Sequence, residues 1–350
     1  MLPVVTLVVV GGAVLVGHSF SGHGRVASTR PGFTSTSAPP PDVAPVSGLP
    51  KLPCPKPSIV VRSAVALRTE LSVARPGTVI RLADGVYPGN FVGQSSGSRR
   101  QPIWVCGGRN AIIDGGRAGR ADGYGFHLDG ASWWKLAGFS VRNVSKGVVV
   151  DHGNHDVLYR LTVYNIGDEA VHLRRFSSHD AVEGCVIRDS GLQNATFGEG
   201  VYLGTARSNW STDTGGVPDA SDDDSVRWCD IARTTAEAVD VKEGTSRGVV
   251  SDNRFDGTGM VASAATSWVN VKGSSYVIEG NIGRDSPSDG LSAHQILAGT
   301  GIQNLFAGNR LLGGVPGYGV FVDAPRTVVR CTSGGAGDKG LSNQACSPGG

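Results

Sequence analysis

The chain has 350 residues and a formal net charge of +2, which gives no indication of nucleic acid or an anionic membrane surface as a partner. It contains 52 glycines but only 18% charged residues, a composition that favours tight turns and short strands over long helices. The glycines follow no three-residue period, so a collagen-like triple helix is excluded.

The N-terminal part of the chain has the pattern of an export segment followed by a linker. Residues 1–16 form an apolar run that is short for a membrane span and typical of a signal-peptide core, although no basic residues precede it. We interpret residues 1–18 as a signal peptide or an uncleaved N-terminal anchor, and we expect a secreted protein. Residues 19–57 are rich in Ser, Thr, Pro and Gly and lack an apolar period, which predicts a disordered linker. Residues 58–350 then form the folded domain.

The folded domain begins with a helical pattern. Residues 63–73 have apolar side chains at helical spacing, and short strand-like runs follow at residues 79–82, 103–105 and 111–114. An amphipathic helix at this position would cover the open end of a stacked β-structure. We therefore predict an N-terminal capping helix.

Short apolar runs then recur at intervals of roughly 22 to 30 residues, in the range of solenoid repeats. They are GVVV (147–150), AVHL (170–173), GVYL (200–203), AVDV (238–241), WVNV (268–271), GLSA (290–293) and GVFV (319–322). They alternate in twos without a 3.6-residue period, which excludes helical solenoids, and leucine is too sparse for leucine-rich repeats. The sequence predicts an all-β fold, a right-handed parallel β-helix whose strands stack about 4.8 Å apart.

A second recurring run places five residues at one position of successive coils: Cys185, Cys229, Asn253, Asn281 and Asn309. Stacked asparagines at an inward corner can hydrogen-bond from coil to coil and satisfy buried backbone groups. Cys185 and Cys229 would be vertical neighbours within disulfide reach, so we predict a bond between them.

The remaining cysteines lie near the two ends of the predicted solenoid. The chain has six cysteines and no CxxC pair, which favours disulfides over a zinc site. We predict that Cys54 and Cys106 join at the N-terminal cap and that Cys331 and Cys346 join at the C-terminal end.

The N-terminal coils contain the runs ARPGTVIRLADGVY, QPIWVCG and AIIDGG between residues 74 and 116. These runs resemble the first coils of secreted β-helix polysaccharide lyases, both the alginate lyase and chondroitinase B group and the family 9 pectate lyases. The resemblance is close over residues 59–116, and the coil pattern extends it to about residue 330. It implies an enzyme acting on an acidic polysaccharide, although β-helices also carry other activities.

Alternation along the strands predicts one outward-facing polar surface. Val239 and Val241 turn inward, so Asp240 and Lys242 point outward. Glu237 lies directly before this strand. Residues at outward or pre-strand positions of other coils are Arg174, Lys272, His294, Glu199, His172, Tyr202 and Asn270. Beside this surface the chain makes its longest excursion, residues 205–223, which we expect to be functional.

These groups suit β-elimination from a uronate polymer. A base removes the C5 proton, and a cation stabilises the charge that develops on the carboxylate. Lys242 or Lys272 is the predicted base, with the pKa lowered by the neighbouring ammonium group, and Arg174 assists. Four carboxylates are predicted ligands of Ca²⁺, which prefers oxygen: Glu199, Glu237, Asp240 and Glu243. The predicted substrate contacts are His172, Tyr202, Asn270 and His294.

Two other functions fit the same surface. One is a noncatalytic glycan-binding or adhesive β-helix. The other is a glycoside hydrolase or C5 epimerase; a hydrolase needs a pair of carboxylates, which Asp240 could form with Glu199 or Glu237. In each case we expect a monomer whose partner is an acidic polysaccharide, with no membrane contact beyond the possible N-terminal anchor.

Overall fold

The computed structural model of the protein describes residues 48–116, 123–332 and 334–348, so the predicted signal or anchor segment lies outside the described residues. The predicted β-helix is confirmed. In the described residues three parallel sheets have 11, nine and nine strands, and about nine coils contribute one short strand to each sheet. Within the described ranges, no helix is long and apolar enough to cross a membrane.

The three sheets are named here by their strands. Sheet A consists of Ile59–Val61, Val79–Leu82, Ile103–Cys106, Trp134–Ala137, Val157–Tyr159, Ala181–Glu183, Ser225–Arg227, Val249–Ser251, Val277–Glu279, Leu305–Ala307 and Val328–Val329. Sheet B consists of Gly85–Pro88, Ala111–Asp114, Ser140–Val144, Thr162–Ile166, Val186–Arg188, Asp230–Ala232, Arg254–Asp256, Ile282–Arg284 and Arg310–Leu311. Sheet C consists of Phe91–Gly93, Tyr124–Asp129, Lys146–Asp151, Val171–Arg174, Val201–Leu203, Val239–Val241, Val269–Val271, Leu291–His294 and Val320–Asp323.

The predicted capping helix is present at Ala64–Ser72. Ser63 caps its N-terminus, because the Ser63 hydroxyl accepts a hydrogen bond from the backbone N–H of Ala66 at 3.2 Å. Leu67 and Leu71 are buried in the solenoid core, so the helix closes the apolar end of the first coils. The other helical turns are Ala195–Phe197, Arg207–Asn209 and Trp210–Asp213.

The predicted asparagine ladder is confirmed. Nδ2 of Asn253 donates to Oδ1 of Asn281 at 2.9 Å, and Nδ2 of Asn281 donates to Oδ1 of Asn309 at 3.0 Å. The same asparagine Oδ1 atoms accept backbone N–H groups of the preceding coil, as Asn253 does from Cys229 at 2.9 Å. The ladder therefore pairs backbone groups that would otherwise be buried without a partner.

The predicted Cys185–Cys229 disulfide is wrong, and both residues are buried free thiols. Each thiol points to a carbonyl oxygen of the preceding coil, at 3.4 Å from Leu158 for Cys185 and 3.5 Å from Val182 for Cys229. Nδ2 of Asn253 makes the equivalent contact with a backbone carbonyl of the preceding coil. Both cysteines therefore extend the ladder and do not bond to each other. The other two disulfides, Cys54–Cys106 and Cys331–Cys346, are present.

The end of the predicted linker packs on the outer face of sheet A. Leu49 and Leu52 contact an apolar cluster that includes Tyr159. The Tyr159 hydroxyl donates to the carbonyl of Pro50 at 2.8 Å and accepts the N–H of Leu52 at 3.3 Å. With the Cys54 disulfide, these contacts hold residues 48–57 against the solenoid.

Candidate active site

The outer face of sheet C carries the polar surface. Strand pairing places His172 beside Tyr202, Tyr202 beside Asp240, and Asp240 beside Asn270 on successive coils. The valines that flank Asp240 in its strand are buried in the core. Because side chains alternate along a strand, these four residues project from the opposite face, as the sequence predicts.

Asp240 binds two ammonium groups at once. Its Oδ1 lies 2.5 Å from Nζ of Lys272, and its Oδ2 lies 2.5 Å from Nζ of Lys242. Burial raises the pKa of Asp240, but the two lysines outweigh this effect and hold the pKa below its ordinary value. Burial likewise lowers the pKa of Lys242, but Asp240 outweighs it and the pKa is raised. Lys242 is therefore charged at neutral pH, and the predicted lowering of its pKa is wrong.

Glu199 and Glu237 join Asp240 in an acidic cluster. One carboxylate oxygen from each of the three residues lies within 4.8 Å of the others. Burial, followed by the charge of Asp240, raises the pKa of both glutamates. Asn270 donates to Oε1 of Glu237 at 3.0 Å, whereas Oε2 of Glu199 has no hydrogen-bond partner in the described part of the chain.

Tyr202 lies between His172 and Lys242. Nζ of Lys242 is 4.6 Å from the centre of the Tyr202 ring, and the His172 ring packs edge-on against the same ring at 4.4 Å. Burial raises the pKa of Tyr202 despite the opposing charge of Lys242. Tyr202 therefore presents a neutral hydroxyl group beside an ammonium ion.

His172 is a neutral imidazole with a defined tautomer. Its Nε2 lies 2.9 Å from the carbonyl oxygen of Gly204, and a carbonyl oxygen only accepts hydrogen bonds. The proton therefore lies on Nε2, and Nδ1 keeps its lone pair. Burial, followed by the charges of Arg174 and Lys146, lowers the pKa of His172 well below 6.5. Nδ1 is buried and makes no hydrogen bond among the described residues, and it lies 3.7 Å from Oε1 of Glu169.

Arg174 is a fixed cation on the same face. Its Nε donates to Oδ1 of Asp151 at 2.6 Å, and its Nη2 donates to the Tyr124 hydroxyl at 3.0 Å. Burial lowers the pKa of Arg174, but Asp151 more than offsets this and raises it. Arg174 can therefore bind an anion but cannot serve as a base.

A cavity of about 190 Å³ opens beside these groups. Its lining includes Lys146, His172, Arg174 and Tyr202 from sheet C. The rest of its wall comes from Glu169, Phe197, Thr205, Ala206, Asn209 and Asp213. Much of that second group belongs to the long excursion after Gly204. A carboxylate of the excursion, Asp219, accepts the backbone N–H groups of Arg175 and Phe176 at 2.8 and 2.7 Å, which anchors it to the solenoid.

Glu243, a predicted calcium ligand, and His294, a predicted substrate contact, both lie outside the acidic cluster. Glu243 is not part of it, because Oε1 of Glu243 accepts the backbone N–H of Arg207 at 2.7 Å and so holds the excursion in place. His294 is the neighbour of Lys272 on the next coil, and the centre of its ring lies 5.6 Å from the centre of the Phe321 ring. Burial, followed by Lys272, lowers the pKa of His294.

Several cavity residues were not predicted. Lys146 and Glu169 form an ion pair and occupy the repeat position that Glu199 and Glu237 occupy on later coils, so the repeat places them on this face but does not show that they line a cavity. Phe197 comes from an irregular turn, and no repeat position indicates where its ring lies. Its side chain is half exposed at the cavity.

The acidic cluster does not fit a calcium ion as it stands. Calcium takes roughly six to eight oxygen ligands, and Glu199 offers an unpartnered one. Both oxygens of Asp240, however, are occupied by Lys242 and Lys272. A calcium ion would have to displace two ammonium groups that already neutralise this carboxylate.

Ionisable groups with shifted pKa values lie beside a cavity on this β-helix, an arrangement that is typical of enzyme active sites. The structure is similar to an alginate lyase from Paenibacillus sp. str. FPU-7, with 30% identity over 82% of this chain and 99% of the other and a TM-score of 0.69. The chain belongs to the family of β-helix polysaccharide lyases that this enzyme represents. No protein-family model matches the sequence, and no curated protein matches it.

Two more distant structures share the fold. The pectate lyase Pel9A has 13% identity and a TM-score of 0.56, with 74% of this chain and 72% of the other covered. A rhamnogalacturonan lyase has 12% identity and a TM-score of 0.51, with 69% of this chain and 67% of the other covered. At this level of identity they support the β-helix alone.

Proposed function

We propose that the protein is a secreted, monomeric lyase that cleaves a uronate-containing polysaccharide by β-elimination. One observation carries the proposal: His172, whose Nδ1 makes no hydrogen bond among the described residues, shares one face beside a cavity with the neutral Tyr202 and the cations Arg174 and Lys242. The two disulfides support export, since such bonds persist in oxidising compartments. Alginate is the first polymer to test, because the relative with 30% identity is an alginate lyase.

The fixed cations bind and polarise the uronate carboxylate. Arg174 lines the cavity and is held by Asp151, and Lys146 also lines the cavity. Charge that develops next to the carboxylate when the C5 proton leaves is stabilised by such preorganised cations. Arg174 is therefore assigned to the carboxylate and not to proton transfer.

His172 is the best-suited base in this geometry. Its Nδ1 keeps a lone pair at neutral pH, whereas the ammonium group of Lys242 has no lone pair until it is deprotonated. We therefore assign removal of the C5 proton to His172 instead of Lys242 or Lys272. The electron pair of the C5–H bond then forms the C4–C5 double bond as the C4–O4 bond breaks.

Tyr202 and Lys242 act on the leaving oxygen. The neutral Tyr202 hydroxyl can donate its proton to O4, and the adjacent ammonium group of Lys242 stabilises the phenolate that remains. Lys242 is itself held by Asp240, which Lys272 also binds. Calcium is not needed in this scheme, because the lysines supply the positive charge near the acidic cluster.

The assay is the ultraviolet absorbance of unsaturated uronate products from alginate, pectate, glucuronan and chondroitin. We expect product from at least one polymer with the wild-type protein, and loss of roughly a hundredfold or more in kcat with Tyr202→Phe. If the wild-type protein forms no unsaturated product from any of the four polymers, the proposal is refuted.

A glycoside hydrolase is the second candidate. Glu199 and Asp240 are neighbouring carboxylates whose pKa values are shifted in opposite directions, the pattern of an acid and a nucleophile or base. New reducing ends without ultraviolet absorbance would select this activity over the lyase.

A further inference from the structure

A second cavity lies on a different wall of the β-helix. It has a volume of about 310 Å³ and lies where the outer face of sheet A turns into sheet B, next to the N-terminal segment that contains Leu52. None of its lining residues lines the cavity beside Tyr202. Its size is at the lower end of ligand pockets, which measure roughly 300–1,000 Å³.

The lining of this cavity is positively charged. It includes Arg81, Arg109 and Arg160. Its acidic member, Asp230, is already paired with the guanidinium group of Arg188 at 2.6 Å. Arg81 and Arg160 are exposed and form no ion pair with another residue in the described ranges.

The walls of the cavity are held in place before any ligand arrives. The hydroxyl of Tyr159 is bonded to the backbone of Pro50, and the Cys54–Cys106 disulfide ties the same segment to sheet A. Trp228 also lines the cavity. Aromatic side chains offer apolar faces to sugar rings, and a rigid pocket loses little entropy on binding.

We propose that this cavity is a second, noncatalytic binding site for carboxylate-bearing saccharide units. Guanidinium groups bind carboxylates through paired hydrogen bonds, and the two aromatic residues give the site an affinity for the sugar ring as well as for the charge. The identity of the polymer rests on the proposed function. The site would anchor a long chain while another part of that chain occupies the active site, which raises the effective concentration of substrate.

The test is the double variant Arg81→Gln/Arg160→Asn. Asparagine is chosen at position 160 because the backbone there has a φ of 51°, which asparagine tolerates. The matched control is Arg62→Gln, which removes an exposed arginine near the capping helix. Affinity electrophoresis in gels containing alginate or polygalacturonate measures binding, and short uronate oligomers measure catalysis apart from anchoring.

We expect the double variant to bind polymer about tenfold more weakly than the wild type and the control, while its rate on short oligomers is unchanged. Equal retention of all three proteins, or no retention of the wild type, would overturn the second site. Loss of activity on short oligomers with a normal circular dichroism spectrum would also overturn it. Arginine-dependent binding without any unsaturated product would overturn the proposed function alone.

Discussion

Lys242 and Tyr202 lie on adjacent coils, with the ammonium nitrogen of Lys242 4.6 Å from the centre of the Tyr202 ring. Asp240 fixes this arrangement, because its carboxylate holds the same ammonium group at 2.5 Å. The pair thus combines a neutral proton donor with a permanent positive charge at the place where a leaving oxygen would develop negative charge.

Two substitutions of Lys242 distinguish a role as a fixed positive charge from a role as the catalytic base. We expect Lys242→Ala to lower kcat about 100- to 1,000-fold, because a preorganised cation is lost. Lys242→Arg keeps the charge but cannot act as a base, so it should retain substantially more activity than Lys242→Ala. If the two variants are equally inactive and both are folded, Lys242 is the base and the assignment of that role to His172 is wrong.

The pH profile reports on His172. Its neutral form is the active base, so kcat/KM should fall as pH drops through the pKa of His172. Burial and Arg174 lower that pKa, which places the acid limb of the profile below pH 6.5. We expect the pH profile of His172→Asn to lack this acid limb. We also expect its rate to be about 100- to 10,000-fold lower than that of the wild type. A limb that persists unchanged in His172→Asn would contradict the assignment.

Chelation tests the role of the lysines beside the acidic cluster. Because Lys242 and Lys272 already occupy both oxygens of Asp240, treatment with EDTA should change the rate by less than about twofold. The comparison is the same protein with calcium restored. Activity that disappears with EDTA and returns with calcium would show that the ion displaces the lysines.

A buried ladder of aspartates should make stability depend on pH. Oδ1 of Asp180 accepts the N–H of Asp156 at 2.8 Å, and Oδ1 of Asp224 accepts the N–H of Asp180 at 2.8 Å. Burial raises the pKa of Asp180 to about 7, whereas the unfolded chain titrates near the model-peptide value of 3.8. Asp180 therefore favours folding at low pH, and this contribution is lost as pH rises through the folded-state pKa.

Asp180→Asn should remove that dependence, because asparagine keeps the Oδ1 acceptor without a charge. We expect the variant to be more stable than the wild type by about 1–3 kcal/mol above pH 7, with little difference at pH 4. Thermal unfolding at both pH values measures this, and Asp252→Asn is an exposed control. Equal destabilisation of Asp180→Asn at both pH values would show that the second oxygen has a structural partner.

The sequence was informative where a residue is part of the repeat. The run AVDV has Asp240 between two valines, and its place among seven similar runs determines its coil and its face. The same reasoning located Lys272 and Tyr202. It could not place Phe197 or Asp213, because their turns have no counterpart on other coils.

Two errors have the same physical origin. Cys185 and Cys229 were correctly placed on neighbouring coils, but the sequence does not show that their thiols turn toward backbone carbonyls. Glu243 follows Lys242 directly, yet its carboxylate binds the backbone of Arg207, far along the chain. Position in a repeat predicts where a Cα atom lies, whereas the side-chain rotamer depends on contacts made after folding.

The sequence by itself determined the β-helix and the order of its outward residues, because period-two alternation and a regular repeat leave few ways to bury the valines. Only the tertiary structure decided which of those residues are charged. The pKa values of His172, Lys242 and Asp240 depend on burial and on distances between coils, which are set when separate segments of the chain come together.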